Sequence, residues 1–483
     1  MSRPPFVTFP VHSSSPGRRP SSADLVESVR RAHAAGELPA GCRLPPVRAL
    51  EQQFGLSKNT AQSAYDELSS RGIVVARVRE GVFVADSPLP PRAPNAPRAS
   101  PPLAHLRAAP LASYAPRRDL LRLSAIFIDP SLLPREQLAE CARSVLRTPG
   151  LDAFYDFQGY PPLREQIAAR LRARGLDVSA DEVVVTSGSQ QALDCVVRAL
   201  EHRRVALENP VYSHARFLFE NLGATLTPLR LDPFAGPELD HWSERIALEH
   251  PSLLYAITSF QNPTGYSYTT HELTRLLEIA AREGVALLED DWGSDMLSGG
   301  DYRPSLRMLG GANVLYVNSF TKKLLPSLRI GYLIAPRVLV PTLVAMKRLA
   351  TLGNAWLMEA TLSEFLDRGY YDTHLATVQQ ELDARYLHCL ELLRAHMPDG
   401  VRWTLPGGGP TLWLDLPRSV NLVDLAARLA ARGVEIESTA SAFVGEPHLR
   451  GFRVSYSFLP PDLLNRALMV LAEELRRADG LLP

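Results

Sequence analysis

Only four of the 52 basic residues in this 483-residue chain are lysines: Lys58, Lys322, Lys323 and Lys347. Arginine serves wherever a plain positive charge is enough. A lysine kept in such a chain is suited to chemistry that guanidinium cannot perform, because it can become a neutral amine nucleophile. Lys322 ends the string Ser319-Phe320-Thr321-Lys322, and Arg329 follows it. Other chemical residues stand in similar places, just after short apolar runs. Ser187-Gly188-Ser189-Gln190 puts a glycine and two hydroxyls at a helix start, where free N–H groups and the helix dipole favour a phosphate. An ordinary strand-to-helix turn would look the same. Asn262-Pro263-Thr264-Gly265 reads as a tight turn, and Glu289-Asp290-Asp291 as acids that need a cation if buried.

One explanation covers the set. A phosphate anchor, an aromatic at Tyr212, an amide at Asn262, a carboxylate at Asp290 and an amine at Lys322 suit pyridoxal phosphate. Asp290 would keep the ring nitrogen protonated, Asn262 would donate to the phenolate oxygen, and Lys322 would form the Schiff base. Arg329 and Ser319 would bind phosphate oxygens. Lys323 and Lys347 are expected to be surface or phosphate-side charges.

These residues need elements to hold them. Val183–Thr186, Arg203–Leu207, Leu253–Thr258, Ala286–Leu288, Val314–Val317 and Ile330–Ala335 read as short apolar strands alternating with helices. That alternation implies a mostly parallel sheet covered by helices, with ligands at the carboxyl ends of the strands.

Apolar residues make up 46% of the chain, enough for a sizeable core, and no run approaches the roughly 18 residues of a membrane span. Met1-Ser2-Arg3-Pro4-Pro5 opens without an apolar stretch, so no secretory signal is expected. The four cysteines are scattered, which argues against a disulfide framework or a structural metal and fits a reducing cytoplasm.

A formal net charge of zero hides an asymmetry: residues 1–118 hold 16 basic and 8 acidic side chains. An anionic partner for the first part alone would explain it, and so would a basic linker. Residues 87–118 are rich in proline and arginine without an acid, a semi-extended spacer. They separate a unit at 20–86 from a body at 119–483. In the smaller unit the pattern predicts a helix over Ser22–Ala35, a short one through Leu50 to Phe54, and a third from an N-cap at Ser57 to Ser70. A hairpin comes next, around Arg79-Glu80-Gly81. This is a winged helix-turn-helix whose third helix would enter the major groove through Ser57, Lys58, Asn59 and Thr60. A three-helix bundle without a DNA role has the same helical spacing.

Gly36-Glu37-Leu38-Pro39-Ala40-Gly41-Cys42-Arg43-Leu44-Pro45-Pro46-Val47-Arg48-Ala49-Leu50, with Ser57-Lys58-Asn59-Thr60 and Arg71-Gly72 beyond, resembles the GntR-type DNA-binding domain. The resemblance implies DNA contacts from Arg48 and from the start of the third helix. The wing, Arg79-Glu80-Gly81-Val82-Phe83-Val84, departs from the family's small-residue tip. From about residue 120 to 480 the body resembles the fold-type I aminotransferases. It does so through Tyr155, Gly159-Tyr160, Ser187-Gly188-Ser189-Gln190, Glu208-Asn209-Pro210-Val211-Tyr212, Asn262-Pro263-Thr264-Gly265, Glu289-Asp290-Asp291, Ser319-Phe320-Thr321-Lys322 and Arg329. This implies a large, mostly parallel sheet domain with a smaller C-terminal α+β part, Tyr212 stacked on the cofactor ring, Arg453 on a substrate carboxylate, and a homodimer. Two positions depart: Trp292 stands where relatives carry tyrosine, and His214 where close relatives can carry arginine.

Head, spacer and body together resemble the MocR/GabR family of transcriptional regulators. The expectation is a cytoplasmic, metal-free regulator that binds double-stranded DNA and senses an amino acid, an amine or the cofactor itself. A working aminotransferase with an appended DNA-binding domain is the alternative. A cofactor-free scaffold is a third, against which Lys322, Asp290 and Arg329 speak.

Overall fold

The structure, a computed structural model, describes residues 5–11, 20–77, 80–85, 119–148, 156–298 and 303–478. The spacer expected at 87–118, Arg79 and Tyr155 lie outside these residues. The chain divides into two compact units, Met1–Ala108 and Ala109–Pro483.

In the first unit, Ser21 caps the helix Ser22–Ala34 through a capping box with Asp24. The helix Val47–Phe54 ends at Gly55, whose φ of 66° is the left-handed conformation that a side chain disfavours. This lets the chain turn at once into the helix Lys58–Ser70, whose N-cap is Ser57 as expected. Leu25, Val29, Leu50, Ala61 and Leu68 form one fully buried core with Val74 and Val84 of the hairpin. The hairpin pairs Val74–Arg77 with Gly81–Val84 in antiparallel register. The wing is therefore packed on the helices and does not stand free.

The second unit is built on an eight-stranded sheet. Its order is Val183–Thr186, Gly331–Ile334, Val314–Ser319, Ala286–Asp290, Leu253–Ala256, Arg204–Asn209, Thr225–Asp232 and Gly236–Pro237. Gly331–Ile334 runs antiparallel to both neighbours, and Gly236–Pro237 is antiparallel to the strand it joins. The other pairings are parallel. Val183–Thr186 and Val314–Ser319 are buried at every residue, as expected where helices cover both faces. Thr225–Asp232 was not foreseen from the sequence.

The C-terminal part carries its own core around Leu412, Leu414, Phe452, Val454 and Leu468. Three short antiparallel strands, Arg402–Trp403, Thr411–Asp415 and Gly451–Ser455, lie there with the helices Leu422–Ala431 and Pro461–Ala478. A parallel pair, Leu121–Arg122 with Val434–Glu435, ties in the segment that opens this unit. Among the described residues no helix is long and apolar enough to cross a membrane.

Candidate functional site

The carboxyl ends of the central strands gather the chemical residues. Successive strand residues point to opposite faces, so Asp290 faces away from Glu289 and Asp291. Glu289 is met by the hydroxyls of Thr258 and Ser305 and by the N–H groups of Leu306 and Arg307. Burial pushes Asp291 up, but Arg174 and Lys323 outweigh it and hold the carboxyl below its usual range. Asp290 is 4% exposed and accepts one hydrogen bond, from the Tyr255 hydroxyl to Oδ2 at 2.8 Å. Its Oδ1 is buried without a partner, and burial pushes its pKa up to about 7. Such an oxygen calls for a donor, best a cationic one.

Gly188, with φ of 79°, opens the helix Ser189–Ala199. A Cβ on Gly188 would come within 2.8 Å of the Arg329 guanidinium, and one on Gly331 within 2.6 Å of the Gly188 carbonyl carbon. Glycine at both positions lets Arg329 lie against the helix start, where its Nη2 donates to the Ser187 carbonyl at 3.0 Å. Arg329 itself has φ of 52°, an uncommon conformation for a residue with a side chain. A guanidinium beside a helix N-terminus makes an anion site. The Ser187 N–H is taken by Gln191 Oε1 at 2.8 Å, and Gln190 donates to the His214 carbonyl at 3.0 Å while its own Oε1 is buried and unpartnered. The Ser319 hydroxyl donates to the Ile330 carbonyl at 3.1 Å and accepts from the Thr321 N–H at 3.1 Å, so it serves its own loop. The neighbouring Thr321 hydroxyl is buried without a partner, a feature the sequence did not single out.

Lys322 is half-buried with Nζ 3.9 Å from the centre of the Phe127 ring. Burial, then the charges of Arg453 and Arg329, lower its pKa to about 7. A large fraction is therefore neutral amine at neutral pH. Tyr212 lies against His214 with ring centres 5.4 Å apart and planes at 24°; burial raises its phenol to about 12, so it stays protonated. Burial lowers the pKa of His214. Arg453 Nη1 donates to Asn262 Oδ1 at 2.6 Å, and Nη2 is bonded to the Ser124 carbonyl at 2.8 Å and to the Glu437 carboxylate. Ser124, Tyr255 and Glu437 had no signal in the sequence. The Trp292 indole N–H donates to the Phe260 carbonyl at 3.1 Å, so this residue serves the backbone.

Two lysines correct the sequence reading. Lys323 and Lys347 are not surface or phosphate-side charges; they are 2% and 1% exposed. Lys323 donates to Asp295 at 2.9 Å and to Asn318 at 2.7 Å, and lines a cavity of about 300 Å³ with Arg170, Arg174 and Tyr371. Lys347 donates to the Val185 carbonyl, and burial lowers its pKa to about 8. Each is enclosed because its ammonium has a fixed acceptor in the interior.

In the first unit Arg48, Lys58 and Asn59 are exposed and Thr60 is half-buried. The Ser57 hydroxyl accepts from the Thr60 N–H at 3.1 Å and lies 2.8 Å from the Thr60 hydroxyl. Those two residues thus shape the helix start, and the other three are free to reach outward.

Residues 129–471 match the family described as aminotransferase class I and II, and residues 22–84 that described as bacterial regulatory proteins, gntR family. The chain is 27% identical over 460 residues to the uncharacterized HTH-type transcriptional regulator YisV of Bacillus subtilis, covering 92% of this chain and 93% of that one. It is 28% identical over 466 residues to the probable rhizopine catabolism regulatory protein MocR of Rhizobium meliloti, covering 93% and 92%. Among solved structures it is similar to LysN, the α-aminoadipate aminotransferase of Thermus thermophilus, in complex with N-(5'-phosphopyridoxyl)-L-leucine. There the TM-score is 0.70 at 30% identity, over 76% of this chain and 94% of that one. With a winged helix-turn-helix in front and a sheet whose carboxyl edge holds Lys322, Asp290 and Arg329, the chain belongs to the aminotransferase class I and II family and carries a gntR-family regulatory domain.

Proposed function

We propose that this protein is a transcriptional regulator that binds double-stranded DNA through its first unit and senses an amino acid or amine at a pyridoxal phosphate site in its second. The observation that carries the site reading is Asp290, a buried carboxylate with one unpartnered oxygen and no cation of its own. A protonated pyridine nitrogen is the group that fits it. The rest of the set fits as well: an anion site at Gly188 and Arg329 for the phosphate, spare polar atoms on Gln190 and Thr321, and a half-neutral amine at Lys322.

When bound, pyridoxal phosphate supplies an aldehyde that a primary amine can engage and a ring that withdraws electrons. Lys322 is the amine that anchors it, and Asp290 accepts the ring N–H. Ser187, Gly188, Ser189, Gln190 and Arg329 hold the phosphate, with Ser319 supporting their loop. Tyr212 would cover the ring, and Asn262 would donate to the phenolate. Asn262 is linked to Arg453, the guanidinium that would receive a ligand carboxylate. A ligand amine would compete with Lys322 for that aldehyde, and a lysine so released would bias a body with two states. Lys58, Asn59 and Thr60 contact DNA from the helix start that Ser57 caps, and Arg48 does so from the helix Val47–Phe54 before it. The head spans 20–86, the spacer 87–118 and the body 119–483, working in the cytoplasm as a homodimer that faces repeated half-sites.

The regulator reading rests on one chain holding both parts, as in relatives named regulators that it matches over more than nine-tenths of their length. A working aminotransferase is the second reading, favoured by the completeness of the site. Binding of promoter fragments, measured with candidate amino acids present and absent, is set beside turnover with a keto-acid acceptor. Ligand-dependent DNA affinity with little turnover is expected. Many turnovers at the roughly 1–1000 per second of ordinary enzymes, with no effect on DNA, would make it the enzyme. Affinity should fall steeply with salt, and Lys58→Ala should cost about 1–3 kcal/mol if it reads a base.

A further inference from the structure

The guanidinium expected to receive a ligand carboxylate already holds one. Arg453 is 8% exposed, and its Nη2 is paired with Glu437, whose side chain is 48% exposed. Ser124 pins both residues. Its carbonyl accepts from Arg453 Nε at 3.2 Å and Nη2 at 2.8 Å, and its hydroxyl accepts from the Glu437 N–H at 3.1 Å while donating to the Arg453 carbonyl at 2.7 Å. The backbone under Glu437 is thereby fixed, but its carboxylate is half in water. It can leave Arg453 by side-chain rotation alone, and water reaching the acid screens the pair.

Among the described residues no other guanidinium nearby is free to take Glu437 over. Arg329 is turned to the Ser187 carbonyl, at the phosphate end. Arg122 is paired with Glu435 at 3.3 Å. Burial with Arg453 and Arg329 keeps Lys322 about half neutral, and burial favours neutral His214, although Glu437 pulls both upward. A carboxylate arriving at Arg453 therefore leaves Glu437 as an acid with no permanently charged partner beside the ligand. We propose that Glu437 is a specificity-determining residue: it stands in for the ligand carboxylate on Arg453 and, once displaced, selects amino acids whose side chain carries a cation and rejects those carrying a second carboxylate. This rests on the pyridoxal phosphate site proposed above.

The full-length, cofactor-loaded protein is titrated with L-ornithine, L-alanine and L-glutamate, following the visible absorption of the cofactor and, separately, the thermal unfolding midpoint. Wild-type protein should prefer ornithine, then alanine, then glutamate. Glu437→Gln keeps the size and an acceptor for Arg453 but removes the charge. It should weaken ornithine about two- to fivefold, tighten glutamate by a similar factor, and move alanine least, the scale of one exposed ion pair. Glu437→Ala should give the same reversal. A wild-type preference for glutamate, an equal shift of all three ligands in Glu437→Gln, or no response to any of them overturns the proposal. The Lys322→Ala variant separates the two failures. If it loses a cofactor band that wild-type protein shows, the site reading stands whatever the ligands do; if wild-type protein shows no such band, both fall.

Discussion

Asp290 and Lys322 have near twins one residue away, Asp291 and Lys323, and the pairs face different fates. The Asp291 carboxylate is met by Arg174, Ser294 and Tyr316, and Lys323 by Asp295 and Asn318. Every charge there has an opposite charge and further hydrogen bonds. Asp290 has one hydroxyl and a bare oxygen, and Lys322 has only the face of Phe127 for its ammonium among the described contacts. The residue types are identical, so type does not distinguish a site from scaffold. The count of unmet bonds does, because a fold that leaves a buried polar atom unpaired loses stability unless something else binds there.

The sharpest break of this comparison is to remove each lysine. Lys322→Ala should abolish the visible absorption of bound cofactor and leave the unfolding midpoint near wild type. Lys323→Ala should keep the absorption and destabilise the fold by about 3–5 kcal/mol, since Asp295 would be left buried and unpaired. The opposite pattern would exchange their roles. Next come the acids. Asp291→Asn should cost about 1–3 kcal/mol in urea unfolding. Asp290→Asn should leave the cofactor-free fold at least as stable and weaken cofactor retention about 10–100-fold, the loss of one charge-assisted bond.

The same pair differs in the sign of its pH dependence. The usual Asp pKa of 3.8 rises to about 7 for Asp290 in the fold. Below the unfolded value both states are protonated. Between the two values the folded chain holds a proton that the unfolded chain has released. Asp290 should therefore make the cofactor-free protein lose up to about 1.4 kcal/mol per pH unit over this window as pH rises, and Asp290→Asn should remove that slope. Asp291, held below its usual range, should lose stability as pH falls instead. The smallest effect is expected at Trp292. Trp292→Phe removes the bond to the Phe260 carbonyl and should cost about 1 kcal/mol without moving the cofactor band. A shifted band would place Trp292 in the site.

The sequence was most legible where function confines several residues to one short string. Ser187 to Gln190 and Ser319 to Lys322 stand at strand ends as their apolar flanks implied, and Asn262 to Gly265 lies in the loop after the strand Leu253–Ala256. The head was legible for the same reason: Gly55 and Ser57 punctuate its helices, and both punctuate them in the structure. Thr225–Asp232 was missed because Pro228 argues against a strand. It is tolerated because the strand pairs along its length on one side only, with the short Gly236–Pro237 reaching no further than Leu231 and Asp232 on the other. Glu437 and Ser124 were illegible because they lie 313 residues apart in sequence, and only the fold brings them together and onto Arg453. Lys323 and Lys347 were misjudged because nothing local shows that a lysine has an acceptor waiting in the core.

The scarcity and placement of the lysines also shape how the protein meets amine-reactive reagents. Two of the four ammonium groups are locked in the interior, and Lys322 is half-covered within its site. The remaining one, Lys58, stands exposed at the start of the third helix of the head. With the cofactor on Lys322, an acylating reagent in water therefore finds one open side-chain amine, and it lies on the surface proposed to face DNA. Side-chain labels from ordinary amine coupling of the cofactor-loaded protein would fall on that surface, whereas the arginines of the body would stay unmarked.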